Sequence, residues 1–354
     1  MNKILKFIDF WLVAPYLLIL VLSYVVILSG NPALAHQQLF FDLIGLAIVI
    51  VVGQIDLGSI RHGRWFIYFI IIGLLILVSF LSENVRGSRR WIDIGYFSLQ
   101  PSEFAKISIV VLLSHYLGRF ESAHLSFKHI IFSFLIILPT IFLVFKQPDL
   151  GTALTVLALW VGLLFSSGLN VLILGLLGGL GVMSLPVVWR FMQDYQRDRI
   201  TVFFNPQADP LGAGYNVLQA IIAVGSGGLL GRGFGRGTQS HLRFLPEQHT
   251  DFIFATFSEE WGLLGVTILF LLYAWLLGKI FRISMKAESR FEMLLAMGVA
   301  YLLVFHIVIN VGMNLGLMPV TGIPLPLMSY GGSSTLSFSL GLGMIHRLAL
   351  KNKK

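Results

Sequence analysis

The sequence predicts an all-α polytopic membrane protein with ten transmembrane helices, cytoplasmic N- and C-termini, and a large extracytoplasmic loop between helices 7 and 8. Three observations carry that expectation. Of 354 residues, 56% are hydrophobic and 12% charged, with a mean hydropathy of +0.84, against about 45–50% apolar and about 25% charged in soluble domains. A soluble globular enzyme is therefore excluded. Several apolar stretches reach the roughly 17–25 residues that cross a hydrocarbon core. The stretches are continuous rather than alternating, which excludes a β-barrel.

The chain reads as one transmembrane domain, 1–354, with spans near 8–29, 39–55, 65–82, 101–117, 129–145, 150–167, 170–189, 261–281, 291–317 and 327–348. The first follows Lys3 and Lys6 but has no A-x-A-like exit, so it is a span and not a cleaved signal. An even number of spans leaves both termini on one side. Lys3 and Lys6 at the start, with Arg347, Lys351, Lys353 and Lys354 at the end, put that side in the cytoplasm. The intervening cytoplasmic loops hold Arg61 and Arg64, then Arg119 and Lys128, then Lys279, Arg282, Lys286 and Arg290. The first and last exterior loops, near 31–38 and 319–326, hold neither Lys nor Arg. This asymmetry accounts for the net charge of +8 without a nucleic-acid partner. With no cysteine, the chain has no disulfide, thiolate metal site or cysteine nucleophile.

Two exterior segments depart from that charge rule. One carries Arg86, Arg89 and Arg90; the other, 190–250, carries Arg190, Arg197, Arg199, Arg232, Arg236 and Arg243. Long loops cross the membrane regardless of charge, so the second has an ordinary explanation as solvated loop. The short arginine loop is harder to explain that way. Guanidinium groups bind phosphate bidentately, which points to an outward-facing site for a phosphate-bearing, lipid-linked ligand. Within 190–250, Tyr215–Val224 has an amphipathic face suited to the membrane interface, and the run from Gly225 to Gly237 reads as a flexible loop. It is not a P-loop, because no Gly-Lys-Ser/Thr follows.

Ionisable residues at membrane depth are costly and are functional candidates by default. Glu103 and Lys106 stand at i and i+3 at the start of a span, where they share a helix face as an ion pair, structural or ligand-binding. Asp42 in the second span and Asp9 near the start of the first read as structural. Asp149 follows a proline at a helix start, where it either caps the helix or faces the arginines. The densest cluster is Glu247, His249, Asp251, Glu259 and Glu260 at the end of the long loop. Asp251 there is either a helix cap or a general base. His249 and Asp251 offer donors for a divalent cation such as Mg or Mn, but H-x-D is a weak metal signal. Finally, Pro319, Pro324 and Pro326 force irregular backbone, and Ser329, Tyr330, Ser333 and Ser334 would line a polar cavity there or serve helix packing.

Five blocks in order carry a resemblance: Arg89-Arg90-Trp91-Ile92, Gln100-Pro101-Ser102-Glu103-Phe104-Ala105-Lys106, Gln147-Pro148-Asp149-Leu150-Gly151-Thr152, Pro246 to Glu260, and Pro319 to Ser334. They resemble the SEDS proteins (shape, elongation, division and sporulation) of bacterial cell-wall synthesis. Lys146 before Gln147 and the unbroken Val320–Pro326 run look more like the rod-elongation branch than the division branch. One departure is Gln219-Ala220-Ile221-Ile222, where many relatives have Gln-Ser-Lys.

The resemblance implies a peptidoglycan glycosyltransferase of the bacterial inner membrane that polymerises lipid II, with undecaprenyl pyrophosphate leaving. It also implies a class B penicillin-binding protein transpeptidase as partner, within an assembly of other elongation membrane proteins. Carried over by residue, the family's essential aspartate falls on Asp251, its acid and base on Glu103 and Lys106, and a further acid on Asp149. Arg86, Arg89, Arg90, Arg232 and Arg236 would meet the pyrophosphate, with His249, Ser329, Tyr330, Ser333 and Ser334 around the substrate. The alternative from another class is a flippase that moves the lipid-linked precursor without chemistry. A flippase needs headgroup contacts through both halves of the bilayer, whereas catalysis needs them at one face.

Overall fold

The structure, a computed structural model, describes residues 8–81, 90–93, 95, 98–120, 126–205, 213–241, 244–245 and 247–352. Its elements in order are α1 (Phe10–Gly30), α2 (Pro32–Val52), α3 (Leu57–Leu81), β1 (Ile92–Asp93), β2 (Ser98–Leu99), α4 (Pro101–Leu117), α5 (Phe127–Lys146), α6 (Leu150–Ser166), α7 (Val171–Phe191), α8 (Asp194–Phe204), α9 (Ala213–Ser226), α10 (Thr238–His241), α11 (Ile253–Met285), α12 (Arg290–Asn314) and α13 (Gly332–Lys351). The protein is an all-helical membrane protein. Among the described residues, seven helices are long and apolar enough to cross a membrane: α1, α2, α3, α5, α7, α11 and α12. The terminal lysines Lys3, Lys6, Lys353 and Lys354 lie outside the described residues.

Helix α4 is the axis of the bundle. Fourteen of its 17 residues are buried, against α3, α5, α6, α12 and α13, so any charge on it is taken out of solvent. Around it, α1, α2, α11 and α13 form one wall, with α2 and α13 the most closely joined pair. Small residues allow that approach, as is usual between membrane helices: Gly45 lies against Ser339 and Tyr16, Gly332 against Phe41, and Gly343 against Val52. By contrast α7 buries none of its residues and packs on the bundle mainly through α6.

The structure corrects three expectations. Helix α2 begins at Pro32, capped by Asn31, whose side chain accepts from the Ala33 and Leu34 amides; Asn31–Gln38 is therefore not an exterior loop. Proline at the first helical position with an Asn cap is a helix start that hydropathy alone misses. Segment 190–250 is not plain solvated loop: it contains α8 and α10 as well as α9, which covers the expected helical face at Tyr215–Val224. The glycine run is not a flexible loop either, because it is hydrogen-bonded onto α11. That helix breaks at Gly262 (φ 62°, ψ −165°), and the run supplies the partners the break requires. The amides of Leu263 and Leu264 donate to the carbonyls of Gly228 and Leu229, while those of Arg232 and Gly233 donate to Glu259 and Glu260. Glycine is obligatory for so close a contact: a Cβ on Gly231 would lie 2.1 Å from the Glu260 carbonyl oxygen.

Candidate active site

The start of α4 is held by its neighbours. Strands β1 and β2 pair antiparallel, Ile92 opposite Leu99, and the Ser333 hydroxyl donates to the Ser98 carbonyl while accepting from the Gln100 amide. Pro101 then opens the helix without sacrificing a backbone donor. One turn in, Lys106 Nζ lies 2.7 Å from Glu103 Oε1, with side-chain exposures of 2% and 4%. Their i, i+3 spacing brings them together, and their burial makes the pair obligatory, since either charge alone at that depth would be uncompensated.

A third member comes from α12. His306 Nε2 is 3.0 Å from Lys106 Nζ, and its Nδ1 is 3.1 Å from the Pro324 carbonyl oxygen. An ammonium can only donate, so Nε2 accepts and Nδ1 carries the proton to Pro324. This network assigns the neutral Nδ1–H tautomer to His306 when Lys106 is charged. Sequence reasoning did not select His306, although a histidine within an apolar span is the kind of residue that the cost of intramembrane polarity marks.

Asp149 both caps and faces a cation. Its Oδ1 accepts from the Thr152 amide at 3.1 Å and its Oδ2 from the Thr152 hydroxyl at 2.9 Å. Arg90 Nη1 lies 3.7 Å from Oδ1, with Arg90 Nε donating to the Gln147 carbonyl and Nη2 to that of Pro148. Gln100 Nε2 reaches Asp149 Oδ2 at 3.4 Å. These groups surround a cavity of about 90 Å³ lined by Arg90, Gln100, Glu103, Lys106, Asp149, Thr152 and His306, closed on one side by Gly322–Pro324.

Asp251 stands against the same turn at Gly322. The Asn310 and Asn314 amides donate to its main-chain oxygen at 3.0 and 3.1 Å. Asn310 also donates to the Ile323 carbonyl at 2.8 Å. The Ser329 hydroxyl donates to the Thr250 carbonyl and accepts from the Leu325 amide, and the Tyr330 amide donates to His249. The turn carrying Asp251 is thus clamped by α12 and by 323–330. Gly322 (φ 74°) marks the junction: a Cβ there would lie 3.6 Å from Asp251 Oδ2 and 4.0 Å from Arg199 Nη1, while the same residue lines the Glu103–Lys106 cavity.

A family model described as "Cell cycle protein", FTSW_RODA_SPOVE, matches residues 3–354. The chain belongs to the FtsW/RodA/SpoVE family. Among family relatives, the peptidoglycan glycosyltransferase MrdB of Escherichia coli K12 is 41% identical over 303 residues, 85% of this chain and 81% of the relative. MrdB of Helicobacter pylori (strain ATCC 700392 / 26695) is 38% identical over 93% of this chain and 87% of its own. A probable FtsW of Hydrogenovibrio crunogenus is 34% identical over 98% of this chain and 92% of its own. The similarity favours the RodA type over the FtsW type. In three dimensions the chain resembles RodA of Thermus thermophilus, at 29% identity and a TM-score of 0.73 over 97% of each chain. It also resembles a chain from a peptidoglycan synthase complex described as coordinating polymerization and crosslinking, at 29% identity and a TM-score of 0.83 over 98% of this chain and 99% of that one.

Other residues expected at the site of this FtsW/RodA/SpoVE chain take different positions. Arg232 donates to the Ser226 carbonyl and the Thr238 hydroxyl, beside Glu259, which accepts from Thr238 and from the Gln239 amide. Arg236 is exposed on the same docked run. The His249 ring packs on Gly30 at the end of α1. Tyr330 donates to Gln37, and Ser334 is buried at the start of α13. None of these five, nor Ser329 or Ser333, lines the 90 Å³ cavity. Among the described residues no three His, Asp or Glu side chains gather into a metal-ligating group. Arg86, Arg89, Arg243 and Pro246 lie outside the described residues.

Proposed function

We propose that this protein polymerises lipid II into glycan strands, with Asp251 as general base. The coarser part of that reading, a membrane-embedded peptidoglycan glycosyltransferase of the RodA type, follows from family membership and from relatives named for that activity. The finer part rests on one observation: the turn at Gly322 borders both the Asp251 carboxylate and the cavity that holds the buried Glu103–Lys106–His306 group.

In the proposed reaction the acceptor sugar's 4-hydroxyl gives its proton to Asp251 while its oxygen attacks the donor's anomeric carbon. The bond from that carbon to the pyrophosphate oxygen breaks, and undecaprenyl pyrophosphate departs with the electron pair. An α-linked donor giving a β-linked product requires a single inverting displacement and no glycosyl-enzyme nucleophile. Arg90, Lys106 and Arg199 would offset the charge developing on the leaving group, in a site where preorganised cations act without reorganisation. Asp149 orients Arg90, and Arg86 and Arg89 extend the same cationic loop in sequence.

The same reading includes ten spans, cytoplasmic termini, a site on the extracytoplasmic face of the inner membrane and a class B penicillin-binding protein as partner. Concentration of the ionised groups at the starts of α4, α6 and α11 supports catalysis at one face rather than a flippase pathway through the bilayer. The test is incubation of the purified protein, with and without its transpeptidase, with lipid II in liposomes. Glycan polymer from wild type and none from Asp251→Ala supports the proposal; lipid translocation without polymer under both conditions would favour the flippase.

A further inference from the structure

A second cleft lies at the opposite end of the molecule, where α1 begins and α11 and α13 end. It measures about 460 Å³ and is lined by Trp11, Trp275, Gly278, Lys279, Arg282 and Lys286, with Asp9 at its base. The acid is already committed: Asp9 is fully buried, caps α1 through the Leu12 amide and pairs with Lys279 at 3.1 Å. Arg282 and Lys286 are exposed and have no acidic partner among the described residues. Among the described residues the cleft therefore carries two uncompensated cations. The Trp11 and Trp275 rings, 5.7 Å apart, form one wall. A Cβ at Gly278 would meet no atom within 4 Å, so the absence of a side chain there leaves open space.

Helical spacing gives the cleft a direction. Leu271, Ala274, Gly278, Arg282 and Lys286 follow one another at three- or four-residue steps along one face of α11. Leu271, 64% exposed on a membrane helix, faces acyl chains. Arg282 and Lys286 lie beyond the tryptophans, whose amphipathic rings favour the level of the headgroups. An apolar stripe, then an aromatic pair, then two free cations is the order of groups along a phospholipid lying against the helix. Basic pockets between membrane helices bind anionic headgroups on the same grounds.

We propose that this cleft binds an anionic glycerophospholipid, with the phosphodiester between Arg282 and Lys286, its glycerol region over Gly278 and its chains along α1 and α11. The assignment does not depend on the glycosyltransferase reading. A soluble phosphate or an acidic peptide would satisfy the cations but not the apolar stripe or the tryptophan pair.

The test is native mass spectrometry of the full-length protein with phosphatidylglycerol or phosphatidylcholine of identical chains. Wild type should retain phosphatidylglycerol more tightly by roughly thirtyfold, the scale expected of two interfacial cations. Arg282→Gln with Lys286→Gln should abolish the preference, and Gly278→Phe, which fills open space, should reduce binding of both lipids while thermal stability is kept. Equal retention of the two lipids by wild type, an unchanged preference in the Arg282→Gln, Lys286→Gln protein, or undiminished binding of both lipids by Gly278→Phe would overturn the proposal. Full displacement by millimolar inorganic phosphate would overturn the lipid assignment in favour of a free-phosphate site.

Discussion

Lys106 Nζ stands 2.7 Å from Glu103 Oε1, and both side chains are withdrawn from solvent on the most buried helix of the protein. The two residues depend on each other more than either contributes alone, because the cost of burying one charge is offset only while the other is present.

Glu103→Leu should therefore destabilise by about 3–5 kcal/mol, as expected when a buried pair loses one member, and Lys106→Met should do the same. The double substitution to Glu103→Leu with Lys106→Met should recover much of that stability without restoring polymerisation. Thermal melts of the four proteins, treated as a double-mutant cycle, check this. Additive losses would show that the two charges are independent.

For Asp251, the main-chain oxygen and the side chain have separate tasks. Asn310 and Asn314 hold the oxygen, so Asp251→Asn keeps the clamp and changes only the carboxylate. The expected result is an unchanged melting temperature and a fall in polymerisation of about 10²–10⁴-fold, the usual contribution of general base catalysis. Near-normal polymer from a well-folded Asp251→Asn protein would remove this residue from the role of base.

Asn310 offers the complementary test. Asn310→Leu leaves the buried Ile323 carbonyl without its donor and removes one of the two amides, Asn310 and Asn314, that hold the Asp251 main-chain oxygen. Such a loss costs about 1–3 kcal/mol. Because Asn310 bonds to backbone and not to substrate, the variant should lower kcat with KM nearly unchanged, measured on lipid II with wild type alongside. A rise in KM alone would place Asn310 in substrate binding.

Much of this site was legible from residue type and spacing. Glu103 and Lys106 at i, i+3, Asp149 behind Pro148, and Asp251 at the loop–helix junction all stood where polar groups are expensive. The Glu103–Lys106 pair and the Asp149 cap are short-range features of one helix start, and local sequence encodes them. His306 was not found because its partner is 200 residues away in sequence, and no local pattern announces that a lone histidine will meet a lysine. The docking of the glycine run had the same difficulty. Its composition predicts freedom, and only the break at Gly262 explains why those glycines are instead pressed against another backbone.

That break supports the last prediction. Gly262 occupies a backbone region closed to residues with a side chain (φ 62°, ψ −165°), and a Cβ there would lie 2.3 Å from the Gly231 nitrogen and 2.8 Å from the Leu229 carbonyl carbon. Neither obstacle is a flexible side chain, so the clash cannot be relieved by a rotamer change. Gly262→Ala must either straighten α11, which removes the partners of Gly228 and Leu229, or push the glycine run off the helix. In both cases Arg232 and Gly233 lose their bonds to Glu259 and Glu260, and the Thr238–Glu259 contact opens. The expected outcome is a markedly lower melting temperature, together with faster proteolysis within 225–237, readable by mass spectrometry of the fragments. A Gly262→Ala protein with wild-type stability and an uncut glycine run would show that the break in α11 is dispensable.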